Sequence, residues 1–303
     1  MRLGLCCLFS EQDIHFRTIT AKALSGRKHK DRIETLRELA AHNAASLYAA
    51  IQYCATHGIG CFRVNSQILP LKTHPTLGYD TDLIGADIVA SYQRCGGLAR
   101  STNTRLSFHP DQFVVLSSPN RRVVKSSLAE LEYQAEVAEW IGADVIDIHG
   151  GGGYGDKQAA LRRFAASVGE LSNRARSRLT VENDDRTYTP RDLFPVCEEL
   201  GLPLVYDVHH HRCLGDGLDV ETATKRSIVT WNREPLFHIS SPREGWRADN
   251  PRFHSDYINL RDFPTLWDDM EITVEVEAKA KELAVRKLIR ALARRAKRKS
   301  FQR

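Results

Sequence analysis

The sequence predicts an α/β protein folded as a single (β/α)8, or TIM, barrel that ends in a basic C-terminal helix. Three observations predict it. Eight short apolar or β-branched runs recur along the 303 residues, segments with helical spacing separate them, and no repeat, low-complexity stretch or Pro/Gly/Ser linker divides the chain. Continuous apolar strands joined by helices imply a parallel sheet covered on both faces. Eight such units in 303 residues suit a barrel, whose usual size is ~250 residues. A doubly wound open sheet has the same rhythm, and periodicity alone does not exclude it.

The elements follow in order. Arg2–Cys7 is read as a first buried strand, because it is too short for a secretory signal and lacks a small-residue cleavage site. Ile33, Leu36, Leu39, Leu47, Ile51 and Cys54 share one face of a long helix that ends near Gly58. Strands are then expected at Cys61–Val64 and Arg105–His109. Val124, Leu128, Leu131, Ala135 and Ala138 line the next helix, which stops before Gly142. The remaining strand runs are Val145–His149, Leu179–Glu182, Leu204–Val208, Leu236–Ser240 and Ile272–Val276. The barrel is expected over 1–282 and a basic amphipathic tail over 283–303.

Charge and cysteine usage narrow the class. The chain carries +5, but Lys279–Arg303 alone has eleven Lys/Arg against Glu282, or +10, which leaves −5 on the other 278 residues. Nucleic-acid affinity in the body must therefore come from local patches. The tail has an apolar stripe of Val285, Leu288, Ile289, Leu292 and Ala296 with Arg and Lys outside it. It reads equally as a solvated terminal helix or as a source of salt-sensitive phosphate contacts. Seven cysteines without a CxxC pair argue for reduced thiols in a cytoplasm, nucleoid-associated if the source is prokaryotic. No run of eighteen apolar residues exists, so no membrane span is expected.

The chemistry stands at the strand ends. Ser107-Phe108-His109, Asp147-Ile148-His149, Val181-Glu182-Asn183, Tyr206-Asp207-Val208-His209-His210-His211, Phe237-His238 and Glu275-Val276-Glu277 close six successive runs. Singly, such a histidine is more often structural, and an Asp or Glu there commonly caps the next helix. Together they converge on one barrel mouth, where carboxylates without a cation would repel one another. Imidazoles and carboxylates without thiolates suit Mn²⁺, Zn²⁺ or Fe²⁺. Strand alternation would separate His210 from His209 and His211, but does not say which side faces the mouth; parity does not separate Glu275 from Glu277 either.

Ser107-Phe108-His109-Pro110-Asp111-Gln112-Phe113, His149-Gly150-Gly151-Gly152-Gly153-Tyr154-Gly155-Asp156-Lys157, Glu182-Asn183-Asp184 and Glu277-Ala278-Lys279-Ala280-Lys281-Glu282 resemble the ultraviolet-damage endonuclease family of the UvdE type. The resemblance spans nearly the whole chain. It implies a barrel related to endonuclease-IV-type nucleases, with two to three divalent ions, Mn²⁺ first among them. His109, His149 and Glu182 then look like the catalytic shell of one ion, Glu182 bridging to a second that Asp207, His238 and Glu277 complete. His210 and His254 would hold the third. His74 matches a histidine near the mouth, and Lys279 lies in the closing motif on the DNA side. Gln112 and Phe113 match a polar–aromatic pair pushed into the duplex opposite the lesion.

The implied activity is a nick immediately 5′ to ultraviolet photoproducts, and other lesions, in damaged double-stranded DNA, leaving 3′-hydroxyl and 5′-phosphate. A monomer is expected. Two departures stand out: Leu236 where many members carry lysine, and Leu5, Cys6, Cys7 and Phe9 where polar or aromatic residues are frequent. A sugar isomerase or epimerase on a similar metal barrel is the rival enzyme, and a damage binder without turnover is the rival from another class.

Overall fold

The computed structural model describes residues 1–301 and is a closed barrel of eight parallel strands in chain order. The strands are β1 (Arg2–Cys6), β2 (Cys61–Val64), β3 (Arg105–Phe108), β4 (Val145–His149), β5 (Leu179–Glu182), β6 (Leu204–Asp207), β7 (Leu236–Ile239) and β8 (Thr273–Val276). β1 pairs with both β2 and β8, which removes the open-sheet alternative. All eight expected strands form, four of them one residue shorter at their C-terminal ends and β8 one residue shorter at its start.

The helices begin and stop where local chemistry says they should. α1 (Ala21–Ser25) is short, and α2 (His29–Thr56) gives way to Gly58 at φ 69°. α3 (Ala86–Ser101) follows β2, and α4 (Arg121–Ile141) starts at an Asn120 side-chain cap and stops at Gly142 in the left-handed region. α5 (Lys157–Val168) and α6 (Asn173–Arg176) follow β4, and α7 (Pro190–Leu200) follows β5 behind a Thr189–Asp192 capping box. α8 (Val208–Cys213) stands where the sequence predicts the end of a strand. Asp207 accepts from the His210 backbone N–H at 2.7 Å, so the strand turns directly into a helix. The His209–His211 triplet therefore lies on a helix, and strand alternation does not apply to it.

α9 (Val220–Val229) precedes β7, and α10 (Lys281–Phe301) closes the wall over β1 and β8. Val285 and Leu288 are buried in the main core, so the helix expected as a tail packs as barrel wall. It runs away from the mouth. Ile289 and Leu292 line a cavity of about 990 Å³ with Arg2, Gly60 and Pro235, which open their strands or immediately precede them, and Arg295 and Lys299 pair with Asp268, ahead of β8. At its start, buried Glu282 accepts the Ser10 and Glu11 N–H groups, each at 2.7 Å. Charge-assisted bonds of this kind are worth about 1.5–3 kcal/mol. Glu282→Ala is expected to destabilise the fold by about that amount, read as a lowered denaturation midpoint; an unchanged midpoint would show that the loop after β1 is held by packing alone.

Inside the barrel the layers change character. Val145, Val205 and Leu236 form a small apolar plug with Trp231 against it. Above it stand buried Arg63, Ser107, Asp147, Thr180 and Glu275. Leu236, two residues before His238 on β7, shares the inward face and belongs to the plug.

Candidate metal centre at the barrel mouth

Glu182, at the end of β5, is the hub. Its Oε2 accepts from His109 Nε2 at 2.9 Å and lies 3.6 Å from His149 Nε2. Its Oε1 lies 3.2 Å from His210 Nδ1 and 3.1 Å from His238 Nδ1, without the angle of a hydrogen bond to either. Asp147 Oδ2 comes to 3.8 Å from His109 Nε2, and Glu277 Oε1 to 3.7 Å from His238 Nδ1. Three adjoining groups have the spacing to hold a cation: His109, Asp147, Glu182 and His238; His149, Glu182 and His210; Asp207, His238 and Glu277.

The electrostatics match a cation site. Burial opposes ionisation of Glu182, yet His149 and His238 beside it and the His109 hydrogen bond outweigh that and hold its carboxyl well below the usual range. Asp147 is the counterpart. Burial, reinforced by the charge on Glu182, pushes its carboxyl up to about 7. Asp147 Oδ2, Glu182 Oε1, Asp207 Oδ2, His149 Nδ1 and His238 Nδ1 are all buried without a hydrogen-bond partner. So many orphaned nitrogens and oxygens at one mouth are far outside the ordinary pattern for buried polar atoms, and a bound ion would account for the four on Asp147, Glu182, Asp207 and His238.

Seven of the eight ligand positions expected from sequence, His109, His149, Glu182, Asp207, His210, His238 and Glu277, fall in these groups. His254 stands just beside them, its Nδ1 3.8 Å from Glu277 Oε2 and 3.2 Å from Ser240 Oγ. His74 is in none of them, and its Nδ1 accepts from the Thr76 and Leu77 backbone. Gln112 and Phe113 are exposed just beyond His109, Phe113 at 76%. Lys279 is exposed and lines a cavity of about 440 Å³ beside the mouth with Cys6, Cys7, Phe253 and His254. The glycine run answers to the protein's own packing: a Cβ on Gly151, at φ 84°, would meet Ser117 Oγ at 2.4 Å, and one on Gly150 would meet the Tyr188 ring at 2.7 Å.

Two participants were not picked out from sequence. Asp147 stands two residues before His149 on the same inward face, a signal that alternation could have given. Arg63 lies within Cys61–Val64, all four of whose residues are buried, and a buried arginine in an apolar strand needs partners. Its partners are Glu275 and Glu277. Glu275 is taken up by Arg63, Ser107 and Cys61, and Glu277 is the one of the two that joins a cation group.

A (β/α)8 barrel whose mouth gathers imidazoles and carboxylates at ligating distances defines the class. The family model for UV-endonuclease UvdE matches residues 1–302. The UV DNA damage endonuclease of Bacillus velezensis is 34% identical over 289 residues, covering 91% of this chain and 88% of its own length. That of Bacillus thuringiensis is 31% identical over 287 residues, covering 91% and 89%. The solved structure of SacUVDE superposes with a TM-score of 0.86 at 27% identity over 97% of this chain and 98% of its own. Endonuclease IV from Thermus thermophilus (TM-score 0.63, 14% identity, 97% and 100% covered) and a D-psicose 3-epimerase from Clostridium cellulolyticum (0.60, 12%, 98% and 98%) share the fold. The chain belongs to the UV-endonuclease UvdE family. It is a DNA repair endonuclease, a hydrolase whose substrate is DNA. Among the described residues all seven cysteines are free, and no helix is long and apolar enough to cross a membrane.

Proposed function

We propose that this chain nicks duplex DNA immediately 5′ to ultraviolet photoproducts, and to other lesions that weaken stacking, leaving 3′-hydroxyl and 5′-phosphate. The observation that carries the metal-assisted form of this reading is the set of four buried, unpartnered ligand atoms on Asp147, Glu182, Asp207 and His238. The donors fit divalent ions that prefer nitrogen and oxygen, Mn²⁺ first, with Zn²⁺ and Fe²⁺ as alternatives. His109, His149, Glu182 and His210, with Asp147, would hold one part of the centre; Asp207, His238 and Glu277, with His254 adjoining, the other. When bound, such ions lower the pKa of water and neutralise charge on the phosphate.

The chain's own residues do the rest. Glu182 gathers four histidines, from the ends of β3 and β4, from α8 and from β7, within 3.6 Å of its two oxygens, so that they converge on one place at the mouth. Gln112 and Phe113 stand where a duplex over the mouth would meet them, suited to fill the gap that an extruded lesion leaves. The exposed Lys279, beside the mouth, would meet the phosphate backbone, with His74 a further DNA contact; the lower half of α10, on the far side of the barrel, does not enter this reading.

The test is incision of a duplex carrying one defined photoproduct, run with Mn²⁺, Zn²⁺ or Fe²⁺ and with chelator. A single nick at the 5′ side, lost in chelator, is expected. An intact duplex alongside turnover of ketohexoses would instead support the epimerase reading. Mn²⁺ at about a hundred times its dissociation constant should also stabilise the chelated chain by ~2.7 kcal/mol, seen as a raised melting temperature. No shift would mean that the mouth does not bind the ion.

A further inference from the structure

Among the described residues Arg63 is the one arginine or lysine whose side chain meets the candidate ligands Glu277 and His238. It rises from β2 and is 7% exposed. Its Nε donates to Glu275 Oε2 at 2.5 Å and its Nη1 to Glu277 Oε1 at 2.6 Å. Its Nη2 lies 2.8 Å from His238 Nε2, an edge that Glu275 Oε2 also approaches at 3.2 Å. Glu275 itself is anchored from below by Ser107, and Gly4 makes room for it: a Cβ there would come within 3.0 Å of Glu275 Cγ.

One guanidinium thus grips Glu277 directly and His238 by way of Glu275. The oxygen of Glu277 that Arg63 grips is the one facing His238 Nδ1 at 3.7 Å. With Nδ1 turned to the group, the ring proton sits on Nε2 and faces the acceptor Glu275 Oε2 at 3.2 Å, so Arg63 fixes the ring by way of Glu275. A planar fork fixes both directions at once, as an ammonium could not. Nor does Arg63 present a bare positive charge to an incoming ion, because buried Glu275 offsets it at 2.5 Å. Leu236, in the apolar plug beneath His238, offers no charge or hydrogen bond to this arrangement.

We infer that Arg63 is a positioning residue of this centre, fixing Glu277 and His238 so that the Asp207–His238–Glu277 group can take a divalent cation. The inference rests on the metal reading of the mouth, and it assigns the dependence to this group and not to the His149–Glu182–His210 group. Loss of partners that orient metal ligands costs about 10–100-fold in affinity.

The experiment measures Mn²⁺ stoichiometry and affinity by equilibrium dialysis of the full chain, with melting temperature in chelator recorded in parallel. Arg63→Met alone would strand Glu275, so the pair Arg63→Met/Glu275→Met is used, since replacing both halves of a buried ion pair by apolar groups is often tolerated. Expected is a melting temperature near that of the parent, with one ion bound about 10–100-fold more weakly and the rest unchanged. Arg63→Lys, which keeps the charge but not the fork, should weaken the same ion by a smaller factor, and decides alone if the double variant does not fold. Parental affinity for every ion in a folded variant, tighter binding, or equal weakening of all ions would each overturn the assignment. A parent chain that binds no Mn²⁺, Zn²⁺ or Fe²⁺ would overturn the metal reading itself, and this inference with it.

Discussion

Glu182→Gln is expected to abolish incision, with a fall on the order of 10³-fold or more, while binding to damaged duplex stays within about tenfold. The amide has the shape of the carboxylate but neither its charge nor its second acceptor. In the parent chain four imidazoles crowd the two oxygens within 3.6 Å. An NH₂ group in place of either oxygen would point a donor at two ring nitrogens and leave any cation there one charge poorer. The same change removes the group that holds His109 and His238 above their usual pKa against the effect of burial. With their partner gone, those rings should lose their protons at lower pH. A histidine raised by its partner contributes stability below its unfolded pKa, and that contribution fades as pH rises through the folded value. The melting temperature of the chelated variant should therefore fall most at acid pH and least above neutrality. DNA binding draws on the exposed loops and their charge, not on this buried carboxylate, so it should survive. Incision at the parental rate by a variant whose metal content has been measured would remove Glu182 from the centre.

The contrast between what the sequence disclosed and what it withheld has physical causes. Strand ends carrying His109, His149, Glu182, Asp207 and His238 are legible because a parallel barrel sends every C-terminal end to one mouth, whatever the details of packing. His210 against its neighbours was not legible from alternation, because Asp207 caps a helix there and the periodicity changes within one residue. Glu275 and Glu277 share an inward face and both meet Arg63; what tells them apart is that Ser107 and Cys61 also take up Glu275, long-range pairings with no local trace. Asp147 carried the same strand signal as His149 but reads as an ordinary buried carboxylate until Glu182 is seen beside it. The basic residues of α10 were legible as charge but not as direction, because composition says nothing about which end of the barrel a helix descends to.

Phe113→Ala is expected to weaken binding to a photoproduct duplex by about 1–3 kcal/mol, the worth of one base–aromatic stack, and to affect intact duplex far less. The side chain is 76% exposed, the most exposed aromatic among the described residues, and it stands four residues beyond His109. Its loop is fixed although its ring is not covered. Asp111 Oδ1 accepts the Phe113 N–H at 3.1 Å, Asp111 O accepts the Val114 N–H at 2.9 Å, and Ser127 Oγ accepts the Val115 N–H at 2.8 Å. A large apolar group held out on a rigid loop costs solubility and adds nothing to the core, so its natural cover is a partner. Bases supply such cover where their own pairing is weakened, and there the ring can enter the stack with the smallest unstacking cost. Gln112, exposed beside it, has the amide to meet base edges exposed by the displaced lesion, and Gln112→Ala should lower lesion preference with a smaller loss. Because the ring packs against little of the protein, the melting temperature and the Mn²⁺ stoichiometry of Phe113→Ala should match the parent. Paired binding curves on damaged and intact duplexes of one sequence decide the matter: equal losses on both would make Phe113 a general surface contact, and a loss confined to the damaged duplex would make it the wedge that recognises the lesion.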